Sequence, residues 1–119
     1  MFKLIAGPCA IESEEMAMDI AKKMVDITNK LGIDYTFKGS FDKANRTSIY
    51  SKRGLGIDEG LRILEKIKKT FDISVATDIH ESWQAEPVGK VVDVVQIPAF
   101  LCRQTDLLVA AATTGKCVN

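Results

Sequence analysis

Short apolar runs alternate with amphipathic stretches along this chain, and few architectures accept that order. Lys3 to Ala6 reads as a strand ending at Gly7-Pro8. Ser13 then stands before Glu14 and Glu15, an N-cap followed by acids in a first helical turn. Met16, Ile20, Met24 and Ile27 recur at helical spacing, and Gly32 is placed to close that helix. Ile33 to Lys38 reads as a second strand. A long connection from Gly39 to Gly56 leads to a helix over about Asp58 to Lys69, with Leu61, Leu64 and Ile67 on one face. Ile73 to Thr77 is the third strand, a short helix near Ser82 is expected to stop around Pro87, and Val91 to Ile97 is the fourth strand. Asp106 to Thr114 forms a last helix stopped by Gly115, and Cys117-Val118 begins a fifth strand.

Strands alternating with helices imply a parallel sheet covered by helices. Right-handed crossovers then gather the C-terminal ends of all the strands on one rim. The residues with chemical potential follow those ends: Cys9, then Lys38 to Arg46, then Asp78 and His80, then Gln96 to Arg103. In a (β/α)8 TIM barrel this rim holds the active site, and the convergence points to an enzyme. Such barrels take ~250 residues, whereas this chain has 119. The expectation is therefore a single unit over 1–119 that forms the N-terminal half of a barrel, about four βα units plus the start of strand five, and reads as truncated. An open sheet of flavodoxin type fits the length too, although no glycine-rich phosphate loop follows the first strand.

Composition narrows the partners. Sixteen Lys and Arg balance sixteen Asp and Glu, so no overall field favours nucleic acid or a membrane surface. No apolar run approaches the ~20 residues that span a bilayer. The apolar start is too short for an export signal, and a cytoplasmic location is expected. Three cysteines, Cys9, Cys102 and Cys117, are widely separated, which argues against a disulfide framework.

The densest chemistry lies in Phe37-Lys38-Gly39-Ser40-Phe41-Asp42-Lys43-Ala44-Asn45-Arg46. With Arg53, the cations suit a phosphate or carboxylate, Arg as a bidentate fork and Lys as a mobile point charge. A solvated basic loop is the plainer reading, but the interleaved Phe37, Phe41 and Ala44 speak for a substrate loop. Cys9 could be a buried small hydrophobe, a nucleophile or a soft metal ligand. His80, the chain's single histidine, alternates with Asp78, so both side chains can face one way. It is either structural or a base for Cys9. Pro98 to Gln104 is apolar with one arginine, which suits core packing or, if Phe100 is exposed, a subunit contact. Trp83 and Phe71 are assigned to packing.

Four segments together carry a resemblance. They are Ile5-Ala6-Gly7-Pro8-Cys9-Ala10-Ile11-Glu12-Ser13, the Phe37–Arg46 loop, Thr77-Asp78-Ile79-His80-Glu81, and Gln96-Ile97-Pro98-Ala99-Phe100-Leu101-Cys102-Arg103-Gln104-Thr105-Asp106-Leu107-Leu108. In this order they closely resemble 3-deoxy-D-manno-octulosonate 8-phosphate synthase (KDO-8-phosphate synthase) along essentially the whole chain. The sister 3-deoxy-D-arabino-heptulosonate 7-phosphate synthase shares the Gly-Pro-Cys start but has a Lys-Pro-Arg-type loop instead of Lys-Ala-Asn-Arg. Thr47 replaces the family's usual serine and keeps a hydroxyl; Leu55 stands where proline is common.

The resemblance implies a TIM barrel, a transferase condensing phosphoenolpyruvate with D-arabinose 5-phosphate for lipopolysaccharide biosynthesis. It implies that Lys38, Ser40 and Lys43 belong to the phosphoenolpyruvate site and Asn45 and Arg46 to the sugar phosphate site. Asp78 and Gln96 line the pocket, and Lys43, Asn45 and Asp78 are the catalytic candidates. Phe100 and Arg103 are lent to a neighbouring subunit, so a homo-oligomer, by resemblance a tetramer, is expected. Cys9 marks the metal-dependent class, with a divalent metal ion whose remaining ligands are expected beyond Asn119. The 119-residue chain alone is accordingly expected to be inactive, either as a silent anion-binding half-barrel or as part of the longer enzyme.

Overall fold

Each helix begins and ends where local chemistry dictates. In the computed structural model, which describes residues 2–119, helix α1 spans Glu14–Leu31. The Ser13 hydroxyl accepts the Met16 N–H at 3.2 Å, satisfying one of the free donors of the first turn. Gly32 ends the helix at φ 64°, with its N–H directed to the Asn29 and Thr28 carbonyls; a left-handed residue there costs glycine little. The buried face is made by Ala17, Ala21 and Thr28. Met16, Ile20 and Met24 only flank it, and Ile27 is exposed. The apolar stripe is thus rotated from its expected position, because small residues let the helix lie close against the sheet.

Helix α2 is Ile57–Phe71 and buries Gly60, Leu61, Ile63, Leu64 and Ile67. Burying a side chain the size of Ile63, Leu64 or Ile67 stabilises by about 1.5–3 kcal/mol each. Gly60 is required by packing: a Cβ there would lie 2.3 Å from Phe41 Cβ. Helix α3, Ala85–Val91, follows a 3-10 turn at Ser82–Gln84 and contains Pro87. Pro87 does not stop the chain as expected, since it occupies the first turn, where its missing N–H would have had no helical partner. Helix α4 is Thr105–Thr113.

The strands are β1 Lys3–Ala10, β2 Asp34–Ser40, β3 Ser74–Asp78, β4 Val94–Gln96 and β5 Cys117–Val118. All pair in parallel, in the order β1-β2-β3-β4-β5. A flavodoxin-type sheet would reverse direction and place its first strand inside; the sequential order is that of a partial (β/α) barrel. Strand β4 is shorter than the sequence suggests. Val91 ends α3, Val92 donates to the Val88 carbonyl at 3.0 Å, and the Asp93 carboxylate accepts the Val75 N–H at 3.0 Å and the Lys68 ammonium at 2.7 Å.

Leu4, Ala6, Tyr35, Phe37, Val75 and Val95 join the helices in one core cluster. Burial pushes the Tyr35 phenol up to about 12, and its hydroxyl donates to the Ala6 carbonyl at 3.0 Å. Alternation along the strands turns Lys38, Ser40, Asp78 and Gln96 to the opposite face of the sheet. Among the described residues no helix is long and apolar enough to cross a membrane.

Candidate active site at the carboxyl edge of the sheet

Parallel pairing places the ends of β1 to β4 side by side. Cys9 is level with Gly39 and Ala10 with Ser40, while Asp78 is level with Gln96. The approach of β1 to β2 depends on Gly7. A Cβ on it would lie 1.7 Å from the Lys38 carbonyl oxygen, and the register slips between Ala6 and Cys9. Just beyond that slip Cys9 has φ 67° and is exposed. A non-glycine residue in the left-handed region is a local strain that clusters at functional positions. In this chain, where β1 is an edge of the sheet, Cys9 is thus exposed and is not buried as a small hydrophobe.

At the centre lies a polar network. Lys38 Nζ is 3.0 Å from Asp78 Oδ1 and donates to Ser40 Oγ at 2.5 Å. The Ser40 hydroxyl in turn donates to Asp78 Oδ1. His80 Nε2 is 3.5 Å from Asp78 Oδ2. Only 13% of the Lys38 side chain, 5% of Asp78 and 9% of His80 reach solvent. The Asp78 carboxylate thus collects Lys38, Ser40 and His80 in a water-poor setting where such contacts are strong. The other His80 nitrogen, Nδ1, is buried without a hydrogen-bond partner, and the ring tilts toward Phe100 at 6.3 Å between centroids. Gln84 fixes the turn after β3 by accepting the His80 N–H at 2.8 Å and the Glu81 N–H at 3.2 Å.

A cleft opens over this network, lined by Lys38, Lys43, Asn45, Asp78, His80, Gln96 and Phe100 together with Pro98 and Ala99. Gln96 is held from its side by Asn119, whose amide donates to Gln96 Oε1 at 3.1 Å. Seven of the residues singled out from the sequence therefore meet in one cavity. Ser40 lies beneath it, fully buried.

Arg46 does not join them. It lines a neighbouring cleft with Glu12, Lys52 and Arg53. Arg103 and Cys9 are exposed and lie outside the lining of the central cleft. Phe37 and Phe41 are buried in the core instead of facing a ligand; they pin the strand end from which the loop departs. Trp83 is not a packing residue, since it is 59% exposed and its indole N–H donates to the Glu81 carboxylate. Phe71 does pack against the core. The sequence left His80 between structural and basic roles. Its alternation with Asp78 was the usable signal, and its partner is Asp78. Lys52 and Glu12 carried no signal, because they meet only through the loop's fold.

Among the described residues no three histidine, cysteine or carboxylate side chains gather as a metal site. Cys9 offers an accessible thiol, which fits a single ligand position at this rim.

Comparison with known proteins places this geometry in a family. The chain is 60% identical over 118 residues to the 2-dehydro-3-deoxyphosphooctonate aldolase of Fusobacterium nucleatum, covering 99% of this chain and 42% of that protein. It is 64% identical over 118 residues to the protein of that name from Pisum sativum, covering 41% of it. Against 2-dehydro-3-deoxyphosphooctonate aldolase 2 of Arabidopsis thaliana it is 63% identical and covers 40%. The chain thus spans about two-fifths of the length of these curated relatives. The DAHP synthetase I family model matches residues 1–119 throughout. The chain belongs to the DAHP synthetase I family.

Proposed function

We propose that this chain forms the first part of a KDO-8-phosphate synthase, which condenses phosphoenolpyruvate with D-arabinose 5-phosphate and releases phosphate, on the route to lipopolysaccharide. The observation that carries the reading is the cleft in which Lys38, Lys43 and Asn45 face Asp78, Gln96 and Phe100 at the carboxyl edge of the sheet. The relatives' names and the Lys43-Ala44-Asn45-Arg46 loop support this over the heptulosonate synthase.

In this reaction C3 of the enol attacks the sugar aldehyde and a carbon–carbon bond forms. Water adds at C2, and phosphate leaves with cleavage of the carbon–oxygen bond. The ammonium of Lys38, held in place by Asp78 and Ser40, presents a fixed positive charge to the carboxylate and phosphate of the enol substrate. Lys43 adds a second, and Asn45 orients the sugar. Donors fixed before the reaction stabilise charge as it develops without reorganising. Arg46 in its neighbouring cleft is suited to the sugar's phosphate. Cys9 would hold a divalent metal ion together with ligands from outside this chain; such an ion supplies orientation of the aldehyde or of water. Phe100 lines the mouth of this chain's own cleft yet is 55% exposed, so with the exposed Arg103 it is suited to reach a neighbouring subunit's site as well; a homo-oligomer is the expected form, and the cytoplasm its expected location.

The test is phosphate release from phosphoenolpyruvate in the presence of arabinose 5-phosphate. The chain extended to its relatives' length should be active and the 119-residue chain inactive. Absence of release from the extended protein, or turnover with erythrose 4-phosphate in place of arabinose 5-phosphate, would overturn the assignment.

A further inference from the structure

The connection between β2 and α2 is closed at its base by a set of ties that the mechanism above does not use. Arg53 sets its guanidinium on Asp42 as a fork, Nε to Oδ1 at 2.7 Å and Nη2 to Oδ2 at 2.6 Å. The backbones follow the side chains. The Lys43 N–H donates to the Arg53 carbonyl at 2.6 Å, and the Gly56 N–H donates to the Phe41 carbonyl at 3.1 Å. Gly54, at φ 131°, is pressed so near the Phe41 carbonyl that a Cβ would lie 2.3 Å from its oxygen. Phe41 itself is anchored in the core at 1% exposure. Past this neck the loop is free of such support: Ile49 and Tyr50 are 91% and 95% exposed. Yet Lys43, adjoining the neck, and Asn45, two residues on, both line the cleft.

We propose that the Asp42–Arg53 pair is a positioning clasp that closes the neck of the loop and so fixes Lys43 and Asn45 over the cleft. The fork suits this task, because two parallel hydrogen bonds set orientation as well as distance. Lys43 is bound through its own N–H to the residue that carries the fork, so the direction in which its side chain leaves is tied to the ion pair. Asp42 reaches no cleft residue through its carboxylate; both oxygens are taken by Arg53. The consequence for catalysis rests on the functional reading above.

The test separates the two. In the protein extended to its relatives' length, hydrogen exchange over residues 42–56 reads the clasp without reference to activity, and kcat and KM read its consequence. Arg53→Met should speed exchange of the Lys43 and Gly56 amides at least about tenfold and raise KM for both phosphorylated substrates more than it lowers kcat. Arg53→Lys, which keeps the charge and loses the fork, should lie between the two. The charge-reversed double variant, Asp42→Arg with Arg53→Asp, should recover most of both losses. Unchanged exchange in Arg53→Met overturns the clasp, and so does faster exchange with unaltered kinetics. A double variant no better than Arg53→Asp alone would mean that Arg53 serves a ligand directly, which also overturns it. If the unaltered protein released no phosphate, the functional reading would fail, while the exchange measurements would still decide whether the clasp orders the loop.

Discussion

Removing Asp78 should expose how the centre of the site is built. Its carboxylate is 5% exposed and, among the described residues, is the single anionic partner of Lys38, itself 13% exposed. Truncating one member of such a buried pair leaves an uncompensated charge and costs about 3–5 kcal/mol. Asp78→Ala also takes away the acceptor of the Ser40 hydroxyl and the neighbour of His80, so the upper half of that range is expected. Lys38→Met is milder. Asp78 keeps Ser40 as a donor and His80 nearby, and the loss is one hydrogen-bonded charge contact, about 1.5–3 kcal/mol. Lys38→Met with Asp78→Ala removes both charges and should cost clearly less than the two single losses added together, since contacting residues couple by about 0.5–3 kcal/mol. Thermal unfolding of the protein extended to its relatives' length reads this directly. At roughly 2–4 °C per kcal/mol, Asp78→Ala should lower Tm by about 8–20 °C. A fall of less than about 2 °C, or a double variant as unstable as the sum of the singles, would refute the claim that the pair is buried and mutually dependent.

Three further outcomes are expected. Gly7→Ala should prevent β1 from seating on β2, because the added Cβ meets the Lys38 carbonyl at 1.7 Å. A loss of at least about 3 kcal/mol in urea unfolding is anticipated, and a change below 1 kcal/mol would contradict it. Asp93 gives a pH signature. Burial by itself would raise its carboxyl, but the Lys68 ion pair and the Val75 N–H outweigh burial and hold it below the ordinary range. A depressed folded value means that its contribution is present above about pH 4 and fades as pH falls through the folded value. With both side chains about one-third exposed, screening limits it to about 1 kcal/mol. Asp93→Asn should be less stable at pH 7 and converge with the parent at low pH; equal stability at pH 7 would count against it. Finally, chelation should abolish phosphate release by the extended protein, and Cys9→Asn should relieve or abolish that dependence. Unchanged chelator sensitivity would remove Cys9 from the metal site.

How much of this was legible in the sequence depended on whether a signal was local. Ser13 and Gly32 declared the ends of α1 because capping acts within one turn. The alternation of Asp78 with His80 put two of the right groups on one face, because strand periodicity needs only neighbouring residues; that β2 runs on to Ser40, and so sets Ser40 beside Lys38, was not read. What failed was tertiary. Nothing local reveals that Ala17 and Ala21 face the sheet in preference to Ile27, or that Pro87 falls in a first turn. Trp83 is a large apolar residue left in solvent, which composition cannot announce. Arg46 was grouped with Lys43 and Asn45 by adjacency, whereas the loop folds it into a separate cleft. The Asp42–Arg53 fork joins residues eleven apart and is invisible until the loop closes.

The central claim is that the carboxyl edge of this sheet receives an anionic substrate between Lys38, Lys43 and Asn45. A crystal structure of the extended protein with phosphoenolpyruvate addresses it most directly. The account predicts the ligand's carboxylate and phosphate within hydrogen-bond distance of Lys38 and Lys43, above Asp78. Phosphoenolpyruvate bound elsewhere, such as in the groove between α3 and α4 lined by Glu86, Lys90 and Thr113, with the Lys38 cleft empty, would contradict it.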